Sequence, residues 1–234
     1  MQVKAVISLL LLSTVSAQTW YKVNFPSLNG NYTLDWALVN SSSVRFNLSV
    51  TGLPTSNWVV NKSGEYMGIG FGNNMMSNVD YLACYTLWSN KSTDAFSCVD
   101  GYFDANRNPV TTAETQDFSG LTTVTYNKTL GNFKVSFVRP LTPTDVSKGV
   151  DYNLANTSAP VKIIWAHGGL DPVTFMPVQH EEGNNGAHQI TLATGANMHI
   201  SDEDDDDSFA AFFSNKMMKL AAFATVALYM VLGL

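Results

Sequence analysis

The sequence lacks the short motifs that identify several classes of enzyme and cofactor-binding protein. It has no Cys-x-x-Cys-His for covalent haem attachment, no Gly-x-Gly-x-x-Gly dinucleotide loop, no Gly-x-Ser-x-Gly nucleophile elbow and no His-Glu-x-x-His zinc helix. Two glutamates follow His180, but the second histidine that a zinc helix needs is missing. The sequence therefore predicts a protein without catalytic residues, not an enzyme.

Basic residues are scarce and are not grouped into a patch. The 234 residues include 13 lysines and arginines against 19 acidic residues, which gives a formal net charge of −6. Because nucleic-acid binding requires basic side chains that neutralise phosphates, we predict no nucleic-acid partner. The acidic run 202–207 is too charged to pack in a core, so it predicts a solvated stalk over residues 198–216.

Long apolar runs are confined to the two ends of the chain. Residues 1–17 contain Lys4, an apolar run and the ending Val15-Ser16-Ala17, a pattern typical of a cleaved secretory signal. Residues 217–234 finish in an uncharged apolar run. A transmembrane helix needs roughly 20 apolar residues, whereas the signal for a glycosylphosphatidylinositol (GPI) anchor needs about 10–20 after a polar spacer. We predict the GPI signal, with a single transmembrane helix as the alternative.

Residues 18–197, between these ends, are enough for one domain with a single core. The chain has only two cysteines, Cys84 and Cys98, and in a secreted protein such a pair predicts a disulfide rather than a metal or catalytic site. Acceptor sequences for N-glycosylation, Asn-x-Ser/Thr without proline, agree with this compartment. They begin at Asn31, Asn40, Asn47, Asn61, Asn90, Asn127 and Asn156.

The periodicity of the domain is that of β-strands, and no helical stripe of apolar residues appears before the C-terminal tail. Apolar and polar residues alternate over 44–50, 133–137 and 189–192, so each of these strands has one buried face. Turn-forming stretches such as Leu28-Asn29-Gly30 and Asn184-Asn185-Gly186 separate short strands. The pattern predicts an all-β, immunoglobulin-like sandwich of two antiparallel sheets.

Five segments follow one another in an order and spacing that characterise a known family. They are Tyr32-Thr33-Leu34-Asp35-Trp36-Ala37-Leu38, the strand Val44 to Val50, Tyr66-Met67-Gly68-Ile69-Gly70-Phe71-Gly72 with a methionine and Asp80 behind it, Phe137-Val138-Arg139-Pro140-Leu141, and Ile163-Ile164-Trp165-Ala166-His167-Gly168. Together they resemble the DOMON domain. This extracellular β-sandwich is found in haem cytochromes such as that of cellobiose dehydrogenase, and beside the catalytic domains of dopamine β-hydroxylase. The resemblance extends from about Tyr21 to Ala193.

The resemblance implies non-covalent haem b held between a methionine and a histidine. In the family, the methionine follows the glycine-rich strand and precedes a small and an acidic residue, as in Met-x-Gly-x-Asp. Met76, with Asn78 and Asp80 behind it, matches this spacing and is the predicted ligand. Met75 is the alternative, displaced by one position, which on a regular strand turns a side chain to the other face.

The late segment offers three candidate histidines. The family's ligand follows the Trp-Ala-x-Gly motif by a dozen or so residues, which favours His180; His188 is the first alternative and His167, inside the motif, is the second. If the methionine and histidine segments lie at one end of the sandwich, they present a thioether and an imidazole from opposite sides. The neighbours predicted to wall the pocket are Phe71, Tyr81, Trp165 and Phe175.

The resemblance therefore implies a haem-b electron-transfer protein tethered to the extracellular face of the plasma membrane. Such a protein needs a separate membrane or extracellular redox partner, because the domain itself does not cross the bilayer. The alternative hypothesis is a haem-free DOMON module that binds a sugar or another small ligand, or a surface adhesion or structural glycoprotein. For Arg139, we predict an ion pair with an acidic residue such as Asp145 or Asp151, with a haem propionate as the alternative partner.

Overall fold

The computed structural model describes most of the predicted domain. The described residues are 18–59, 63–72, 79–88, 95–103, 109–110, 117–127, 129–144, 151–173 and 181–200. The predicted signal 1–17 and residues 201–234 lie outside them, as do Met75, Met76, His180, Phe175, Asp145, Asn61 and Asn90. None of the described elements is a helix long and apolar enough to cross a bilayer.

Regular structure in the described residues consists of β-strands and a single 3₁₀ turn, Thr55–Asn57, with no α-helix. The strands are β1 (Tyr21–Phe25), β2 (Asn31–Asn40), β3 (Ser43–Thr51), β4 (Gly64–Phe71), β5 (Val79–Leu87), β6 (Ala95–Phe103), β7 (Pro109–Val110), β8 (Ser119–Asn127), β9 (Asn132–Pro140), β10 (Pro160–Gly169), β11 (Asn185–Thr191) and β12 (Asn197–Ile200). Strand β12 extends three residues into the predicted stalk, because His199 and Ile200 pair with His188 and Ala187 of β11.

These strands form two antiparallel sheets. The five-stranded sheet has the order β1-β2-β3-β9-β8, and the seven-stranded sheet has the order β12-β11-β10-β4-β5-β6-β7. A single large apolar core takes side chains from both sheets. Two hydrogen bonds cross that core, from Tyr32 Oη to Gly68 O at 2.8 Å and from Trp36 Nε1 to Leu192 O at 3.2 Å. The predicted all-β sandwich of two antiparallel sheets is confirmed.

Strand β3 shows why the alternating pattern produces a sandwich. Its apolar residues Val44, Phe46, Leu48 and Val50 all have 0% of their surface exposed. Phe46 lies opposite Trp36 of β2 and Phe137 of β9, so three neighbouring strands place aromatic rings on the same inner face. Burying a large apolar side chain stabilises the fold by roughly 1.5–3 kcal/mol, so this face contributes substantially to the core.

Cys84 and Cys98 form the predicted disulfide, which lies between neighbouring strands of the seven-stranded sheet. The two residues are directly opposite each other on β5 and β6, at a sequence separation of 14. In the chain-entropy model, a loop of this length stabilises the fold by on the order of 3 kcal/mol. The bond therefore links β6 covalently to the sheet.

Five acceptor asparagines lie in the described residues. Asn31, Asn40 and Asn156 are exposed, whereas Asn47 and Asn127 are half-buried. The side-chain oxygen of Asn40 also accepts a hydrogen bond from Ser42 N at 2.8 Å. Glycosylation at these positions remains a prediction, with the exposed asparagines the most accessible.

Candidate functional site

The two segments with the predicted iron ligands leave the seven-stranded sheet at opposite ends, not at one end. Strands β4 and β10 are antiparallel neighbours, with Phe71 opposite Ile163 and Glu65 opposite Gly169. The segment with Met75 and Met76 follows β4 on the Phe71 side, whereas the segment with His180 follows β10 on the Gly169 side. Six strand residues span about 20 Å, so the two attachment points are separated by roughly that distance.

Between these ends, the outer face of the seven-stranded sheet carries a second buried apolar cluster. We call it the outer patch; its members are Tyr66, Val79, Tyr81, Ala83, Ile164, Ala166, Leu170 and Ala187. Along β4, Met67, Ile69 and Phe71 belong instead to the core between the sheets. Because side chains alternate along a strand, the outer patch faces away from the five-stranded sheet. Both faces of β4 are therefore buried.

The centre of the outer patch is a flat row of small residues. Gly68 of β4 lies opposite Ala166 of β10 on one side and Ala83 of β5 on the other. A Cβ added to Gly68 would meet Leu82 O at 3.4 Å and Ala83 Cβ at 3.8 Å, which are ordinary contacts. A glycine inside a strand often marks a place where a ligand approaches the backbone closely. The row is therefore a flat, apolar part of the outer sheet face.

The residues next to this row are larger and close off its sides. At Gly70, an added Cβ would come within 2.6 Å of Val79 Cγ1 and 2.8 Å of Ile164 Cγ1, so that position is already filled. Tyr81 lies opposite Gly70 on β5. Of the four predicted pocket walls, Tyr81 lies in the outer patch, Phe71 and Trp165 belong to the inner core, and Phe175 lies outside the described residues.

His167, the second alternative ligand, points into the core rather than towards the outer patch. Its side chain is 1% exposed and its ring stacks on Tyr32, with 5.7 Å between the centroids. The Nδ1 atom lies 2.9 Å from Glu65 Oε1, and the Nε2 atom lies 2.5 Å from Ser27 Oγ. Because both ring nitrogens have hydrogen-bond partners, neither is available to a metal in this arrangement.

His188, the first alternative ligand, also lies on the inner face. Its ring contacts Phe25 edge-on, with 5.3 Å between centroids, and lies 5.4 Å from the ring of His199. The pKa of His188 is lowered, because burial disfavours the charged ring and His199 adds repulsion. Its Nδ1 atom is buried and has no hydrogen-bond partner in the part of the chain that the structure describes. His188 packs among aromatic rings, away from the outer patch.

Ser27 and Glu65 were not singled out in the sequence, although they form a polar chain with His167. Ser27 lies between β1 and β2, 140 positions before His167. Burial raises the pKa of Glu65; the hydrogen bond and charge of His167 oppose this shift, and Glu181 adds to it. No periodicity or motif relates these residues. Glu65 and His167 meet because β4 and β10 are paired neighbours in one sheet, and the packing of the two sheets brings Ser27 to them.

Arg139 forms an ion pair with Asp80, which was not among its predicted acidic partners. Its guanidinium is buried, contacts the Asp80 carboxylate, and donates a hydrogen bond to Tyr152 O at 2.6 Å. The backbone N–H of Tyr152 also donates to Asp80 Oδ2, at 3.0 Å. Asp151, the predicted partner within the described residues, lies close enough for the charge of Arg139 to lower its pKa, against the larger effect of burial. The pair is structural and supports the sheet end from which the methionine segment departs.

Burial raises the pKa values of two further carboxyls near this ion pair. The pKa of Asp100 rises to about 8, because burial disfavours its charge and Asp80 repels it. The pKa of Asp151 rises to about 7, because of burial and its contact with the Asp117 side chain. In the described ranges no three histidine, cysteine or acidic side chains are arranged to hold a metal ion. The raised pKa values mean that Asp100 and Asp151 can hold protons near neutral pH.

We expect the free energy of unfolding to increase as the pH falls from 8 to 6. The folded state holds protons on Asp100 and Asp151 at a pH where the unfolded chain, with an ordinary carboxyl pKa near 4, has lost them. Lower pH therefore favours the folded state, by on the order of 1–2 kcal/mol over this range. Urea unfolding at pH 6, 7 and 8 measures the effect. In the control Asp100→Asn, the free energy of unfolding should depend less steeply on pH. Equal slopes for the wild-type protein and this variant would contradict this account.

Comparison with known proteins identifies the family. A DOMON domain family model matches residues 28–168, which is more than half of the chain. The matched range includes Met75, Met76 and His167, and it ends before His180 and His188. No curated protein matches the chain. The match and the two-sheet fold together show that the chain belongs to the DOMON domain family.

Proposed function

We propose that this protein binds haem b and transfers electrons at the cell surface, tethered to the membrane through its C-terminal segment. The observation that carries the proposal is the outer patch, a buried apolar surface with a flat row of small residues on the outer face of the seven-stranded sheet. An outer sheet face that is buried and flat is suited to an apolar ring system. The apolar character of this face supports the proposal of an apolar ring system as the ligand.

The candidate ligands belong to segments attached at the two ends of this patch. Met76 follows the Phe71 end of β4, and His180 immediately precedes Glu181 at the Gly169 end of β10. Met76 and His180 would hold the haem, which would supply one-electron chemistry.

The described residues contribute an environment that excludes water. Ala83, Ala166 and Ala187 are buried in the outer patch, and Tyr66 and Tyr81 cover its sides. A dry apolar environment disfavours the extra charge of ferric haem, as does a thioether ligand. The proposed role is therefore electron transfer to or from a separate redox partner outside the cell. The predicted signal, glycosylation sites and GPI tail support this location.

The absorption spectrum of the purified ectodomain, expressed with ample haem, tests the proposal. We expect a Soret band and, after reduction, the sharp α-band of six-coordinate haem b. Gly68→Leu should lower haem occupancy at least about 10-fold, because its side chain covers the small-residue row. Gly68→Ala is the matched control, since its Cβ meets only ordinary contacts and should leave binding intact.

The same experiment distinguishes the second candidate function. A protein without a Soret band would not be a haem protein, and the outer patch would then be the site of another small, flat ligand. Trp36 and Trp165 are both buried in the core, so neither offers an exposed platform for a sugar ring. A normal Soret band in Gly68→Leu would instead place the haem away from the outer patch.

A further inference from the structure

Two histidines face each other across the last two strands of the seven-stranded sheet. His188 of β11 lies directly opposite His199 of β12, and their ring centroids are 5.4 Å apart. Residues directly opposite on antiparallel strands have Cβ atoms about 4.5–5.5 Å apart and project from the same face. We call these two residues the histidine pair. The pairing of two regular strands is enough to bring their imidazoles together.

The histidine pair lies at the boundary between the core and solvent. His188 is 5% exposed, and its ring packs edge-on against Phe25 of β1. Its partner on the other side, Ile163 of β10, is fully buried. His199 is exposed, and β12 is the edge strand of the sheet. The pair is therefore dry on one side and accessible from solvent on the other.

The ring of His188 has a nitrogen that the described part of the chain leaves without a hydrogen bond. This atom, Nδ1, is buried. Buried polar atoms are normally paired, so an exception of this kind calls for an explanation. At His167, by contrast, both ring nitrogens have partners, in Glu65 and Ser27. An external ligand that binds the ring would account for the unpaired nitrogen.

The protonation of His188 favours a metal as that ligand. Only the neutral imidazole binds a metal ion, because the ion takes the place of a proton. Burial and the charge of His199 lower the pKa of His188, against the opposite effect of the Ala187 backbone. The neutral, metal-binding form of the ring is therefore favoured at neutral pH.

The spacing of the two rings suits a shared metal ion. Imidazole nitrogens bind Zn²⁺ at about 2.0–2.1 Å, so two imidazoles on one tetrahedral ion have ring centroids roughly 5 Å apart. The histidine pair has its centroids at 5.4 Å. The planes of the two rings are inclined by 44°, so the rings are not stacked face to face. A small adjustment of the exposed ring of His199 is enough to complete the geometry.

We propose that the histidine pair binds a divalent transition-metal ion, with His188 and His199 as its two protein ligands. Imidazole suits Zn²⁺, Ni²⁺ and Cu²⁺, and Cu²⁺ is bound most tightly of these. In the described ranges no third histidine, cysteine or acidic side chain is arranged to join them, so solvent supplies the remaining ligands. This site needs no haem, because it uses neither of the predicted haem ligands.

A metal ion at the histidine pair would tie β12 to the sheet. Strand β12 has four residues, and β11 is its only neighbour among the described strands. An ion that binds the folded state and not the unfolded chain stabilises the folded state as its concentration rises. The ion would therefore fix the strand from which the C-terminal segment 201–234 continues.

Calorimetric titration of the purified ectodomain, without a histidine tag, with CuCl₂ and then ZnCl₂ tests the proposal. We expect one ion per chain, bound more tightly for Cu²⁺ than for Zn²⁺. The electron paramagnetic resonance spectrum of the copper form should show coupling to two imidazole nitrogens. His188→Ala and His199→Ala should each weaken Cu²⁺ binding at least about 10-fold, the lower limit for losing even a residue that only orients a metal ligand.

Met198→Ala is the matched control for these variants. Met198 is exposed, precedes His199 on β12 and lies opposite Gln189, so its side chain projects from the other face of the strand. This variant should bind Cu²⁺ as the wild-type protein does. Because His199 is exposed, His199→Ala should keep the melting temperature of the metal-free protein, and it tests the pair even if His188→Ala does not fold.

Four results would overturn the proposal. The wild-type protein could show no saturable Cu²⁺ binding, or its copper spectrum could show coupling to fewer than two imidazole nitrogens. Wild-type affinity in His199→Ala would place the ion elsewhere, for example on the acidic run 202–207. An equal loss of affinity in Met198→Ala would show an effect on β12 as a whole rather than on the histidine pair.

Discussion

Replacing Met76 with alanine is expected to abolish the six-coordinate spectrum of the haem-loaded protein. Under the proposed ligation this change removes one of the two protein ligands of the haem, so the sharp α-band of the reduced form should disappear. The reduction potential of any residual haem should fall, because a methionine ligand favours the ferrous state. Haem affinity should decrease at least about 10-fold. Absorption spectra and redox titration of the purified ectodomain measure these changes.

Matched variants make the assignment of the ligands specific. His180→Ala should likewise abolish the six-coordinate spectrum, because under the proposed ligation either change removes one of the two haem ligands. Met75→Ala should keep the spectrum, since Met75 is displaced by one position from the family spacing. His188→Ala should also keep it, because His188 packs against Phe25 on the inner face. If Met75→Ala loses the α-band and Met76→Ala retains it, the ligand is Met75 instead.

Replacing Arg139 with methionine is expected to destabilise the fold by about 3–5 kcal/mol. The arginine is 0% exposed and its partner Asp80 is 2% exposed, so the change leaves a buried carboxylate without its positive partner. Asp100 and Asp151 lie in the same region, close enough for their negative charges to repel each other and that of Asp80. Urea unfolding at pH 8 gives the largest expected effect, because both neighbouring carboxyls are then substantially ionised.

A double-mutant cycle tests whether the charge or the packing is responsible. Asp80→Asn removes the charge but keeps the shape of the side chain. The double variant Asp80→Asn/Arg139→Met should therefore lose less free energy of unfolding than the two single variants lose together. The expected coupling exceeds about 1 kcal/mol, which is typical of residues in direct contact. Additive single effects would show that Arg139 acts through its packing on Phe71, whose ring centroid lies 5.1 Å from the guanidinium carbon.

The strands and the disulfide could be predicted because they depend on local spacing. The two-residue period of 44–50 places Phe46 and its neighbours on one face, and the structure pairs that face with Phe137. Cys84 and Cys98 were the only possible disulfide pair in a chain with two cysteines. In both cases, a short stretch of sequence or a simple count contains the information.

The polar networks could not be predicted in the same way. Arg139 had several acidic candidates, and its choice of Asp80 depends on the packing of β9 in one sheet against β5 in the other. Ser27 is a polar residue in a turn, with no property that marks it as a partner of His167. Contacts between the two sheets depend on their stacking, for which a single sequence has no periodic pattern.

By itself, the sequence determined the class of fold, the family and the disulfide. The alternation of apolar and polar residues, the order of the motifs and the number of cysteines can all be recognised without knowledge of distant contacts. Only the tertiary structure decided which surfaces are available to a ligand. It places His167 and His188 on the inner face and forms the row of Gly68, Ala83 and Ala166 on the outer one. It also places the strand ends that precede the methionine and histidine segments, Phe71 and Gly169, at opposite ends of the sheet, because β4 and β10 are antiparallel neighbours.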